Sequence, residues 1–400
     1  MDYWLRLKRL LTILLNLLRR SNRIILEDKK IISNGFGVNI NQPPNEMDVQ
    51  LIRDAGLHYA RIDLIWEAIE REKGVYNFSS FDRTVDLLKQ NRITPYFILA
   101  YSNPLYEEDR SVVTTEGRFA YIKFAQAALE RYKGLQAFWE IWNEPNLEEF
   151  WSPQPSIEMY SYLLKSVAPF IKLKDPSGIV VAPAMSQINS THRQWLEALL
   201  QEGILKYIDA VSVHPYPGGN PELMINDYHQ LEALVQEYAI KPMPIISGEW
   251  GYTTDRIAEI TQAQYMSRMF LINSMLEIPI SIWFNWKDQV FDGYGLYRVD
   301  DTPKPSYQAL SVLTAALNGF IFTDRIEGTR SDEYVLLFNH TSTGKKALAL
   351  WTTGEPGQIN IPFESGTGQL VSMLGETSSI TWEDRLIIDV TQSPAYLLVD

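Results

Sequence analysis

The sequence contains no cysteine, which excludes disulfides, thiol nucleophiles and thiolate metal sites together. Histidine is scarce, with five in 400 residues and none in a His-Glu-x-x-His or similar spacing. No metal site and no cofactor is therefore expected. Positive charge is also short: 36 Lys and Arg stand against 49 Asp and Glu, a net charge of −13, and such a surface does not suit a nucleic-acid partner. Long apolar runs are missing near the start, where the uncharged run Leu10–Leu18 has nine residues. A membrane-spanning helix needs about 18–20. No glycine-rich loop follows the first predicted strand, so the usual marker of a nucleotide fold is absent.

Aromatic residues, by contrast, are plentiful: 11 Trp, 21 Tyr and 16 Phe. They serve either a packed core or a groove in which flat rings stack on sugar faces, and composition leaves both open.

Residues 1–30 differ from the rest. They hold eight Lys and Arg against three Asp and Glu, a net of +5, which leaves −18 for the other 370 residues. Asp2, Arg6, Arg9, Thr12, Asn16 and Arg19 recur every three or four positions, with leucines and isoleucines between them. That is the period of an amphipathic helix with a basic stripe and a wide apolar face. The segment suits peripheral membrane contact through residues 1–20, docking on its own barrel or on another subunit, or an atypical export signal. No small-residue cleavage site follows it. Oligomeric state is left open.

From residue 35 short apolar runs alternate with amphipathic stretches, the pattern of βα units around a parallel sheet. Strands are predicted at 35–40, 59–64, 94–100, 137–142, 179–182, 210–213, 245–248 and 280–284, with helical patterns between them. Eight such units predict a (β/α)8 TIM barrel over residues 31–317. After residue 318 the helical period stops, and short strand patterns separated by Gly, Ser and Thr predict a small C-terminal β-sandwich over 318–400. No linker rich in Pro or Ser separates the two parts, so close packing is expected.

In such a barrel the chemistry lies at the C-terminal ends of the strands. Trp142-Asn143-Glu144-Pro145 follows the fourth predicted strand, and Ser247-Gly248-Glu249-Trp250-Gly251 follows the seventh. Two carboxylates facing each other across a barrel mouth are what glycosidic hydrolysis needs: one acid protonates the leaving oxygen and one carboxylate meets the cationic anomeric carbon. Asn143 is positioned to hydrogen-bond a sugar hydroxyl. With 49 acids in the chain, an isolated Glu at a strand end would read as a surface charge; the pairing is what gives these two weight.

These residues resemble clan A glycoside hydrolases, retaining enzymes built on this barrel. Arg61-Ile62-Asp63-Leu64-Ile65-Trp66 with Ile69-Glu70, and Gly295-Leu296-Tyr297 through Thr302-Pro303-Lys304-Pro305, are similar to further segments of the clan. Within it the sequence is most like family 39, particularly bacterial exopolysaccharide-degrading members, with family 5 next. The resemblance implies that Glu144 is the acid/base and Glu249 the nucleophile. It further implies that Arg61 bonds the nucleophile, that His214 and Tyr216 form a His-x-Tyr after strand six, and that Trp283 floors the reacting sugar's subsite. Where family 5 enzymes carry a His near the end of strand three, this chain reads Ala100-Tyr101-Ser102-Asn103-Pro104, so Asn103 is the candidate polar contact there. Trp66 and Trp250, like Trp142 and Trp286, are candidate stacking rings with core packing as the equal alternative.

The reading is a retaining glycosidase without a cofactor, endo-acting on a microbial polysaccharide. The rivals are a carbohydrate-binding barrel without turnover and a transglycosylase using the same two Glu.

Overall fold

The computed structural model describes residues 26, 28–288, 293–328 and 330–400. Eight parallel strands close into a barrel: β1 (Phe36–Asn39), β2 (Tyr59–Ile65), β3 (Thr94–Ala100), β4 (Phe138–Ile141), β5 (Ile179–Ser186), β6 (Ala210–His214), β7 (Ile245–Trp250) and β8 (Ser281–Trp283). Every sequence-predicted barrel strand is present. β1 pairs with β8, for example Val38 with Trp283, which completes the ring. Helices run between the strands. Several begin on a side chain that accepts from an otherwise unpaired backbone N–H, such as Asn45 before Glu46–Asp54 and Thr114 before Thr115–Tyr132.

Strand alternation sorts the barrel interior into layers. At the N-terminal end Tyr59, Phe138, Ile179, Ala210, Ile246 and Ile280 form an apolar floor, and Leu26 packs into it. Above the floor lies a buried polar layer of Arg61, Glu140, Tyr96 and Ser212. The functional side chains stand at the C-terminal rim above that. The odd-numbered residues of β2 (Tyr59, Arg61, Asp63) climb through all three levels.

The chain ends in strands β9 (Phe320–Arg325), β10 (Glu333–His340), β11 (Lys346–Thr352), β12 (Gly357–Pro362), β13 (Gly366–Val371), β14 (Thr377–Trp382), β15 (Arg385–Val390) and β16 (Ala395–Val399). Six form an antiparallel sheet in the order β14-β13-β16-β11-β10-β9, and β12 pairs with β15. Val335, Leu348, Leu350, Ile359, Ile361, Leu386 and Ile388 share the core between the two sheets. The larger sheet turns Leu336, Phe338, Ala349, Trp351 and Tyr396 toward the barrel's own core. Trp351 donates its indole N–H to Glu222 at 2.7 Å, and Gln264 on the helix Glu259–Met275 bonds Ser393 at 3.0 Å.

The amphipathic helix expected over residues 1–30 lies outside the described residues, apart from Leu26 and the 3-10 turn Asp28–Lys30. Among the described residues no helix is long and apolar enough to cross a membrane.

Candidate active site

Glu144 and Glu249 come together at the barrel mouth. One carboxylate oxygen of each, with a ring nitrogen of His214, lies within 4.8 Å of the others. Both chain segments reach this position by unusual backbone. Trp142 and Glu144 have φ of 73° and 47°, left-handed values held on either side of Asn143. The Glu144 amide donates to the Ala184 carbonyl at 3.0 Å, which pins the turn to β5. On β7, Gly248 allows close approach to β6: a Cβ there would lie 2.5 Å from Ser212 Oγ.

Glu249 sits among donors. Arg61 reaches its Oε2 at 2.6 Å, Tyr216 its Oε1 at 2.6 Å, and the Asn39 amide its Oε2 at 3.3 Å. Burial pushes this carboxyl up, but His214, Arg61 and the hydrogen bonds from Tyr216 and Arg61 outweigh burial and hold it below the usual carboxylate range. Burial and the neighbouring Glu249 push the Tyr216 phenol well above its ordinary value, so it stays a donor. Glu249 is thus kept ionised, the state a nucleophile needs.

Arg61 is the hub. It is fully buried and gives two hydrogen bonds to Glu140 Oε2, at 2.9 and 2.7 Å, one to Asn143 Oδ1 at 2.8 Å, and the one to Glu249. Glu140 is completed by Tyr96, whose hydroxyl donates at 2.8 Å. Because a guanidinium only donates, the Asn143 carbonyl must face it, leaving the amide NH2 for a substrate oxygen. His214 stands between Arg61 and Glu144, with Nε2 3.3 Å from Arg61. Nδ1 is 2.8 Å from Glu144 Oε1.

Glu144, His214 and Glu249 have the spacing of a three-ligand cation site. The Arg61 guanidinium, 2.6 Å from Glu249, already supplies positive charge there and disfavours a second cation.

Asn103 and Trp283 lie elsewhere than their sequence reading put them, and Trp66 and Trp250 take the core-packing alternative. Trp283 is buried behind β8, edge-on to Trp250 at 5.0 Å. The reason is parity: Ile280 and Ile282 face the barrel interior, so Trp283 faces the helices. Phe284, one residue on, is the ring beside the site, with its centroid 6.5 Å from that of Tyr216 and 5.5 Å from that of Tyr294. Trp250 likewise turns away from its neighbour Glu249 and bonds Ser281 at 3.0 Å. Trp66 stacks between Tyr106 and Phe124. Its indole donates to buried Glu70 at 2.6 Å, and Tyr106 donates to the same carboxylate. Asn103 belongs to this knot: its amide bonds the Glu70 carbonyl at 2.8 Å and accepts from the Leu105 amide at 2.9 Å. Both ends of its side chain are committed to the fold.

The sequence reading missed Asn39, Glu140 and Phe284. A charged residue inside the apolar strand Phe138–Ile141 was the available signal for Glu140, and counting by twos along β8 would have found Phe284.

A closed (β/α)8 barrel with two facing carboxylates at the ends of β4 and β7 defines a class, the retaining glycoside hydrolases. Comparison with known proteins narrows this: the model of glycosyl hydrolases family 39 matches residues 29–241, more than half of the chain, and the protein belongs to that family. It is 22% identical over 373 residues to a β-xylosidase of Geobacillus stearothermophilus, covering 81% of this chain and 68% of that one. With a β-xylosidase of Caldicellulosiruptor saccharolyticus it shares 25% identity over 303 residues, 64% of this chain and 59% of that one. A family 39 glycoside hydrolase structure from Bacteroides cellulosilyticus WH2 superposes with a TM-score of 0.81 at 23% identity, over 93% of this chain and 82% of the other.

Proposed function

We propose that the protein hydrolyses β-xylosides by double displacement, with Glu249 as nucleophile and Glu144 as acid/base. The observation that carries this reading is the approach of the two carboxylates to within 4.8 Å at their nearest oxygens. Retaining pairs stand about 5–5.5 Å apart, whereas inverting pairs need about 6.5–9.5 Å to admit water. Their environments divide the work. Glu249 is held ionised by Arg61 and Tyr216 and attacks the anomeric carbon. Glu144, bonded to His214 through Oε1, gives its proton to the leaving oxygen. The same carboxylate then takes a proton from water, whose oxygen bonds the anomeric carbon as the bond to Glu249 breaks, and the free sugar leaves. The two named relatives are β-xylosidases, which supports a xylose glycone.

A second reading, endo-action on a longer polysaccharide, is favoured by two hollows beside Ile65, of about 510 and 360 Å³. Analysis of products from xylan against short xylo-oligosaccharides separates the two, and added sugar acceptor reveals any transglycosylation.

The role assignment is tested with 2,4-dinitrophenyl β-xyloside. Glu144→Ala should glycosylate quickly, because this leaving group needs no acid, and then stall. Azide should restore turnover and give a glycosyl azide of retained configuration. Glu249→Gly with azide should give the inverted azide. The same anomer from both variants sinks the assignment, as does full activity of Glu144→Ala on natural glycosides.

A further inference from the structure

The barrel mouth holds hydrogen-bond acceptors that the protein itself does not satisfy. Asp63 stands two residues beyond Arg61 on β2, so alternation turns it to the same interior face, one level higher. Its carboxylate feels Arg61, Glu249, Glu140 and Arg110, yet no donor among the described residues hydrogen-bonds it. Burial pushes this carboxyl up to about 6 despite Arg61. Its side chain is only partly exposed, so water satisfies it incompletely and a donor from a ligand would improve on that.

The neighbouring strand repeats the pattern. Asn39, paired in register with Arg61, gives its NH2 to Glu249 and keeps its Oδ1 buried without a partner. Asn39 is 3% exposed. Its amide orientation is fixed because only NH2 can donate to a carboxylate. Two acceptors thus lie on neighbouring strands, Asn39 level with Arg61 and Asp63 one level above it. Glu144, just past β4, turns away from them toward β6, where His214 bonds it at 2.8 Å. Asp63 is partly exposed and also borders a 360 Å³ hollow between the β1 loop and the helix Ser79–Gln90, so it is open to solvent at the rim of the barrel.

If Glu144 addresses the leaving group and Glu249 the anomeric carbon, the β1–β2 arc meets the glycone. Sugar hydroxyls are donors, and hydroxyls on adjacent carbons span the two oxygens of one carboxylate. We propose that Asp63 is the specificity-determining residue for the glycone, its carboxylate accepting hydrogen bonds from two adjacent hydroxyls while Asn39 Oδ1 accepts a further one. The inference rests on the roles assigned to Glu144 and Glu249 above.

The test pairs protein and substrate changes. The probes are 4-nitrophenyl β-xyloside and its 3-deoxy and 4-deoxy forms, assayed with wild type, Asp63→Ala and Asp63→Asn. A hydrogen bond to a charged group corresponds to roughly 10- to 150-fold in kcat/KM. In wild type, removing a hydroxyl that Asp63 reads should cost that much. In Asp63→Ala the same removal should cost less than about threefold, because the bond is already gone. Asp63→Asn, which keeps one acceptor, should retain a penalty for one hydroxyl only. Equal deoxy penalties in wild type and Asp63→Ala overturn the proposal, including the case where Asp63→Ala is merely slow through misfolding. Failure of the xyloside reading looks different: no activity on the xyloside with activity on another aryl glycoside. The same deoxy comparison on that glycoside then decides the role of Asp63.

Discussion

Asp63→Asn should make the protein more stable at neutral pH, which is the reverse of what removing a structural carboxylate does. The carboxyl moves from its ordinary 3.8 to about 6 on folding, chiefly through burial, with Glu249 and Glu140 adding to the rise and Arg61 opposing it. The folded protein therefore binds this proton more tightly than the unfolded chain. Its contribution to stability is fully present below 3.8 and is lost as pH rises through 6. A gap of about two pH units, at about 1.4 kcal/mol each, sets an upper bound of about 3 kcal/mol at pH 7.5, which the partial exposure of the carboxylate lowers. Asn is nearly isosteric and does not ionise, so the variant escapes this cost. Urea unfolding at pH 7.5 should show it more stable by about 1–3 kcal/mol, and at pH 3.5 the two proteins should coincide. A variant less stable by more than about 1 kcal/mol at pH 7.5 would mean that the carboxylate is anchored by donors of the fold. The reasoning about Asp63 would then be wrong in both its energetic and its functional parts.

Tyr216→Phe removes a donor that holds Glu249 ionised. The acid limb of kcat/KM should move to higher pH, and an unchanged limb would show that Tyr216 does not govern that carboxylate. Trp283→Ala should cost about 3–5 kcal/mol of stability, as expected for a fully buried ring. Phe284→Ala should act mainly on kcat/KM, and thermal unfolding with steady-state kinetics on both variants exposes any reversal.

The barrel and its two Glu were legible because both follow from short-range pattern. A parallel strand is a compact apolar run, its polar successor is the loop, and a carboxylate just past the run stands at the rim. The C-terminal sheets were legible for the same reason, except β9: Phe320–Arg325 lies at the edge of its sheet, where only Phe320 is buried and the alternation is weak. What eluded the sequence was mostly direction. Trp250 and Trp283 are neighbours of functional positions by number and lie on the opposite side of their strands, because a shift of one residue exchanges the two faces. Asn103 failed for a different reason. Its carbonyl and amide are both consumed by a loop knot around Glu70, and that knot exists only when residues 66, 70, 103 and 106 meet in space.

The buried polar layer ties the surroundings of Glu144 and Glu249 to a single hub. Arg61 contacts Glu249 directly and stands 3.3 Å from Nε2 of His214, whose Nδ1 faces Glu144. One guanidinium therefore lowers the proton affinity of Glu249 and packs against the His214 that bonds Glu144. Glu140 holds that guanidinium with two hydrogen bonds and is itself held by Tyr96, so the arrangement rests on rigid strands rather than on loops. Lysine at position 61 would keep the charge but lacks the planar fork that reaches Glu140, Glu249, Asn143 and His214 together. Only a guanidinium on β2 can serve all four partners, which is the physical reason for arginine in that strand.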